Sequence, residues 1–192
     1  MNARVGALVL AAGFSNRFGS LKLAAHLNSG TTVFAQTLAR LAAAVPEQIV
    51  VSRPELAEIL APETDTLYLF DQAERGMGAT LAYGVSLIED WDACLVCLAD
   101  MPFITTATYR RIAAAADSDS IVLPTYEKKV GNPVAFGRRF FPELTALGGD
   151  TGGRPVLQRH PGAVRRLAVA DAAILHDIDT PEDLARLQAQ QS

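Results

Sequence analysis

Short apolar runs recur along the chain at residues 5–11, 48–51, 66–70, 93–98 and 120–124, most of them without strict alternation of apolar and polar positions. Such runs predict strands buried on both faces, as in a parallel sheet. Segments of helical length separate them. Residues 32–44 are amphipathic, with Val33, Leu38 and Leu41 on or near one stripe, and 78–89, 106–116, 138–147 and 181–190 follow the same pattern. Thr105 or Thr106 is placed to cap the third of these, and Asp179 or Thr180 the last, with Pro181 at a first helical position. Two further β-like pieces, near 130–136 and 164–169, come late in the chain. Strands alternating with helices predict an α/β fold: a single doubly wound, mostly parallel, Rossmann-like sheet flanked by helices, with right-handed crossovers. With no repeat, linker or low-complexity segment, residues 1–192 are expected to form one domain.

Composition narrows the function classes. The 192 residues are 49% hydrophobic and 20% charged, which is ordinary globular usage. Seventeen Lys and Arg against 21 Asp and Glu leave a net charge of −4, so no basic footprint marks a nucleic-acid or anionic-membrane partner. No apolar stretch has the length of a membrane span. The apolar run behind Arg4 continues into a Gly/Arg/Lys loop rather than a cleavage site, so a cytoplasmic location is expected. The two cysteines, Cys94 and Cys97, have the CxxC spacing, but they lie in an apolar run. Residues three apart in a strand point to opposite faces, which predicts two core thiols and no shared ligand. His26, His160 and His176 show no ligand spacing with acids or with one another.

Chemistry concentrates first in LAAGFSNRFGSLK, residues 10–22, directly after the first strand. Ligands in open α/β sheets sit beyond the carboxyl ends of strands, which is where this loop falls. Gly13 lets backbone approach a ligand closely, Ser15 offers a hydroxyl, and Gly19 permits a sharp turn. Arg17 and Lys22 supply positive charge for phosphates. The loop has the glycine spacing of neither GxGxxG nor GxxxxGK[ST], which removes support for hydride transfer and for a Walker-type ATPase.

This loop resembles the LAAGxSxRxGxxK signature of nucleotidyltransferases related to the molybdenum cofactor cytidylyltransferase family. Further segments fall in that family's order: GMGATLAYG at 76–84 resembles GMGxSLxxG, LADMPF at 98–103 resembles GDMP, GNP at 131–133 resembles GHP, GDTGGR at 149–154 resembles GDxGxR, and HDIDTPEDL at 176–184 resembles DIDTPEDL. The chain departs from the pattern at Phe18 (usually Met), at Ala99 (usually Gly), at Asn132 (usually His), and across 26–32.

The resemblance implies transfer of CMP from CTP to the phosphate of molybdopterin, with release of pyrophosphate and formation of the cytosine dinucleotide. It implies Mg2+ held by Asp100 and by Asp179 or Asp177, an arrangement that suits a hard cation. Lys22, Arg17 and Asp100 are the implied catalytic residues. The nucleotide would lie against Leu10, Ala11, Ala12, Gly13, Ser15, Arg17, Lys22, Gly78 and Thr80, with 76–84 opening a helix towards it. The acceptor would lie against Asn132, Pro133, Asp150 and Arg154, and the product would pass to a molybdenum hydroxylase. A guanylyl or sugar-phosphate enzyme of the same chemistry remains an alternative, as does a non-catalytic cofactor carrier.

Overall fold

A computed structural model describes residues 3–14, 17–19 and 21–190. Its elements, in chain order, are β1 (Val5–Leu10), α1 (Val33–Ala42), β2 (Gln48–Ser52), α2 (Ala57–Leu60), β3 (Leu67–Leu69), α3 (Met77–Ser86), β4 (Ala93–Leu98), α4 (Thr106–Ala115), β5 (Ile121–Tyr126), β6 (Lys129–Val130), β7 (Val134–Gly137), α5 (Phe141–Leu144), α6 (Arg154–Arg159), β8 (Val164–Ala168) and α7 (Pro181–Ala189). The strands form one mixed sheet in the order β3-β2-β1-β4-β7-β5-β6, with β8 paired to β5. Strands β1, β2, β3 and β4 run parallel, and β8 runs parallel to β5. β7 is antiparallel to both β4 and β5.

Burial on both faces explains the uninterrupted apolar runs. Ala7 and Val9 of β1 face one apolar layer with Leu95 and Cys97 of β4, and that layer packs under α1, α4 and α7 through Phe34, Leu41, Ile112 and Leu187. Leu8 and Leu10 face the other, with Cys94, Val96, Leu81 and Val85 of α3, Leu144 of α5 and Val156 of α6. Cys94 and Cys97 thus point into opposite layers, as a strand's period of two requires. Both are free and buried, and burial pushes the Cys94 thiol up to about 12, far from a reactive thiolate.

Capping follows the sequence closely. Thr32 accepts from Ala35 N–H, Thr105 from Thr108 N–H, and Thr180 forms a capping box with Asp183. Two expected elements are broken. The helix expected at 138–147 becomes a 3-10 turn, Arg138–Phe140, followed by the single turn of α5, where Pro142 at an early position lacks a donor for the preceding turn. The strand expected at 130–136 is interrupted between β6 and β7, where Asn132 N–H donates to Ile174 O at 2.9 Å instead of to a sheet neighbour. No helix among the described residues is long and apolar enough to cross a membrane.

Candidate functional site

The sheet order reverses between β1 and β4: the chain grows outward from β1 through β2 to β3, then returns to β1's other edge with β4. Such a switch point splays the connections apart and leaves a crevice at the strands' carboxyl ends. A cavity of about 490 Å³ occupies it, lined from one side by Leu10–Gly13 after β1 and from the other by Leu98–Asp100 after β4.

Backbone hydrogen bonds hold the first rim. Ala99 N–H donates to Leu10 O at 3.1 Å, Ala11 N–H to Val51 O at 2.8 Å, and the buried Ser52 hydroxyl to Ala11 O at 2.9 Å. The loop turns at Gly19, whose φ of +75° lies in the left-handed region, and returns through a 3-10 turn, Lys22–Ala24, that buries Leu23. Anchoring Leu23 in the core sets Lys22 at the cavity wall. Ser15 lies outside the described residues.

Three carboxylates converge there. One oxygen each from Asp100, Asp177 and Asp179 lie within 4.8 Å of one another. Asp100 follows β4 directly, and its carbonyl accepts from Ile178 N–H at 3.1 Å, which ties the 177–179 turn to the end of β4. Thr180 caps α7, and Thr105 caps α4, so neither Asp179 nor Asp100 is spent as a cap. Lys22 Nζ lies 2.5 Å from Asp100 Oδ2 and 3.3 Å from Asp179 Oδ1, while Arg17 Nη1 lies 2.9 Å from Asp179 Oδ2.

The electrostatics follow from depth. Burial drives the Asp100 carboxyl above its ordinary range, against the pull of Lys22. Burial alone lowers the Lys22 ammonium, but Asp100 and Asp179 outweigh it and hold that group above its ordinary value. Asp100 Oδ1 is buried without a hydrogen-bond partner. An orphaned carboxylate oxygen inside a three-carboxylate cluster fits a hard divalent cation, which takes oxygen ligands. Three carboxylates and two cations sum to −3 + 2 = −1. A dication there would offset much of the acidic charge that a polyphosphate would otherwise meet.

The residues expected from the sequence divide as follows. Leu10, Ala11, Ala12, Gly13, Arg17, Lys22, Thr80, Asp100 and Asp179 all line this cavity. Gly78 belongs to its support: its N–H donates to Gly149 O at 2.6 Å, and a Cβ there would come within 2.6 Å of Gly148 O. Asp150, expected beside the acceptor, lines this cavity as well. Asn132 and Arg154 line a second cavity of about 1060 Å³, which meets the first along Leu10, Met77 and Leu98. Pro133 is buried beside it, outside the lining of either cavity. Sequence reasoning missed Phe14, Glu74 and Met77 in the first cavity and Arg166 in the second. Phe14 carried a signal, a half-exposed aromatic in the glycine loop, and Arg53 lies over its ring at 4.7 Å.

Comparison with known proteins agrees with this geometry. The chain is similar to the crystal structure of Rv0371c from Mycobacterium tuberculosis H37Rv, with 30% identity, a TM-score of 0.86, and coverage of 98% of this chain and 99% of that one. The manganese complex of that mycobacterial protein is similar at 29% identity and a TM-score of 0.80, covering 97% of this chain and 98% of the other. A nucleotidyl transferase from Methanothermobacter thermautotroptrophicus is 26% identical, with a TM-score of 0.84 and coverage of 99% and 98%. No curated protein matches the sequence significantly. The MobA-like NTP transferase domain matches residues 7–164, most of the chain, and this protein belongs to that family.

Proposed function

We propose that this nucleotidyltransferase moves CMP from CTP onto the phosphate of molybdopterin. The observation that carries the transfer chemistry is the junction of Lys22 and Arg17 with Asp100, Asp177 and Asp179 beneath the Leu10–Gly13 rim. The choice of CTP and molybdopterin is supported by the likeness of residues 10–22, 76–84, 98–103, 149–154 and 176–184 to the segments of molybdenum cofactor cytidylyltransferases.

An acceptor phosphate oxygen attacks the α-phosphorus, the new O–P bond forms, and the α–β bridging P–O bond breaks with its electron pair leaving on pyrophosphate. Such a reaction asks for positioning and charge neutralisation more than for a protein nucleophile. Lys22 and Arg17 stabilise negative charge growing on the α-phosphoryl oxygens and the departing pyrophosphate. A phosphate nucleophile is already ionised at neutral pH, so no general base is needed. Asp100 and Asp179, with Asp177 beside them, would hold Mg2+, which supplies further charge neutralisation on the triphosphate when bound. The Leu10–Gly13 backbone and Thr80 border the nucleotide, while Asn132 and Arg154 border the acceptor.

Asp100→Asn tests the reading. It keeps the shape of the side chain and removes the buried charge, so pyrophosphate release should fall by about three orders of magnitude or more while the circular dichroism spectrum is unchanged. Turnover retained in the folded variant overturns the role of Asp100. Competition among CTP, GTP, ATP and UTP for binding, with and without Mg2+, tests the base: preference for GTP would move the enzyme to guanylyl transfer.

A further inference from the structure

We infer that Asp171, which lines neither cavity, is a positioning residue: it pins the segment that sets Asp177 and Asp179 against Asp100. That segment leaves the sheet after Val169, whose N–H donates to Thr125 O at 2.9 Å, and reaches the end of β4 at Ile178. In the sheet, β5 and β7 stand between β8 and β4, so the chain must cross both to get there. It does so with a single 3-10 turn, Ala172–Leu175. Among the described residues, Asp171 is the only one of 170–178 whose side chain is hydrogen-bonded.

Its carboxylate is held from two sides. Oδ1 accepts from Ala173 N–H at 3.1 Å and so caps the 3-10 turn. Oδ2 accepts from Thr105 N–H at 3.0 Å, from the Thr105 hydroxyl at 3.1 Å and from the Thr108 hydroxyl at 2.6 Å. Bonds to an ionised acceptor are the stronger kind. The donors stand at the start of α4, which is anchored in the core by Tyr109 and Ile112 and follows Asp100 directly in the chain. Asp171 therefore fastens the crossing segment to the same stretch that carries Asp100. Beyond this clamp the fit is close. Ile174 and Ile178 are fully buried, Ile174 O accepts from Asn132 N–H at 2.9 Å, and a Cβ on Gly131 would come within 2.3 Å of that oxygen. Ile178 N–H then meets Asp100 O. A slipped segment would carry Asp177 and Asp179 away from Asp100 and release the amides of Asn132 and Ile178. The metal role of the aspartates rests on the proposed function; the pinning of the segment does not.

Calorimetric titration of Mn2+ into the full chain tests the role of Asp171. Asp171→Ala should lower Mn2+ affinity about tenfold, the scale seen when a group that orients metal ligands is removed. Thr108→Val removes the shortest of the four bonds while keeping the side-chain shape, and should give a smaller loss in the same direction. The double variant should bind no more weakly than Asp171→Ala alone, because both changes break one clamp. Asp117→Asn loosens a turn at the amino end of β5, opposite the strand end that carries Asp100, and should leave Mn2+ affinity unchanged. Amide exchange followed by NMR gives a readout that needs no metal: in Asp171→Ala, Asn132 and Ile178 should exchange faster relative to the amides of β1. Unchanged Mn2+ affinity in Asp171→Ala overturns the inference, as does an equal fall in Asp117→Asn, which would mark general loosening. If Asp171→Ala does not fold, unchanged affinity in Thr108→Val overturns it instead. Unchanged exchange at both amides overturns the pinning. Faster exchange in a protein whose Mn2+ affinity is indifferent to Asp100→Asn overturns the metal reading of the proposed function and leaves the pinning standing.

Discussion

Replacing Lys22 by Met keeps a long unbranched side chain and removes one charge from the centre of the site. Its Nζ stands 2.5 Å from Asp100 and 3.3 Å from Asp179. At an effective dielectric constant of about 20, those separations correspond to gross attractions of about 7 and about 5 kcal/mol. Most of that is offset by the cost of removing Lys22 and Asp100 from water, since their side chains are only 12% and 14% exposed. Breaking a buried pair typically costs about 3–5 kcal/mol. Asp179 is 39% exposed and water screens its share, so the expected loss is at the low end, about 3 kcal/mol at pH 7. Urea denaturation measures it. The same substitution in an Asp100→Asn background should cost much less, because the uncompensated carboxylate is what makes the single change expensive. Turnover, followed as pyrophosphate release from the nucleoside triphosphate, should fall by about 100- to 1,000-fold through loss of a preorganised donor. A Lys22→Met protein that keeps turnover within a few-fold of wild type would refute the argument for Lys22 on the reacting phosphate. Equal stability losses in the two backgrounds would refute the coupling.

Two further outcomes concern the scaffold. A methyl group at Gly6 would lie 2.1 Å from the ring of Trp91, whose Nε1 is held by Glu47 at 2.8 Å, so Gly6→Ala should cost about 3 kcal/mol by overpacking, visible as a lowered urea midpoint. Asp117 accepts from Asp119 N–H and from the N–H and hydroxyl of Ser120, and lies 2.8 Å from Arg165. Burial opposes the ionised form, but these partners together hold its carboxyl below the ordinary value of 3.8. A depressed carboxylate contributes stability that is present above its unfolded value and lost as pH falls through the folded one. The difference in urea midpoint between wild type and Asp117→Asn should therefore be full at pH 7 and shrink below about pH 4. A difference that persists unchanged at acid pH would contradict this.

The parts of the molecule legible in the sequence are those set by local chemistry. β1, β4 and α7 fall within a residue of expectation, because apolar runs buried on both faces and a Thr-Pro helix start leave few alternatives. The placement of Lys22, Asp100 and Asp179 around one cavity was legible through motif likeness. The antiparallel insertion of β7 between β4 and β5 was not, since nothing in a four-residue run states its direction. Arg166 was missed for a related reason. It sits on an exposed late strand whose pairing with β5 alone brings it to the second cavity. That Asp150 and Arg154, four residues apart, line different cavities was not legible either, since it depends on the course of the glycine loop between them.

The hydrogen bond from Ile178 N–H to Asp100 O has a consequence for synthesis. β1, β2 and β4, with Lys22 and Asp100, all precede that turn in the sequence and so leave the ribosome before it. Asp177 and Asp179 follow only later, beyond residues 7–164 that match the family domain. A chain cut before residue 177 therefore retains one of the three carboxylates and loses the other two. The centre is completed only once residues 177–179 have docked against the end of β4.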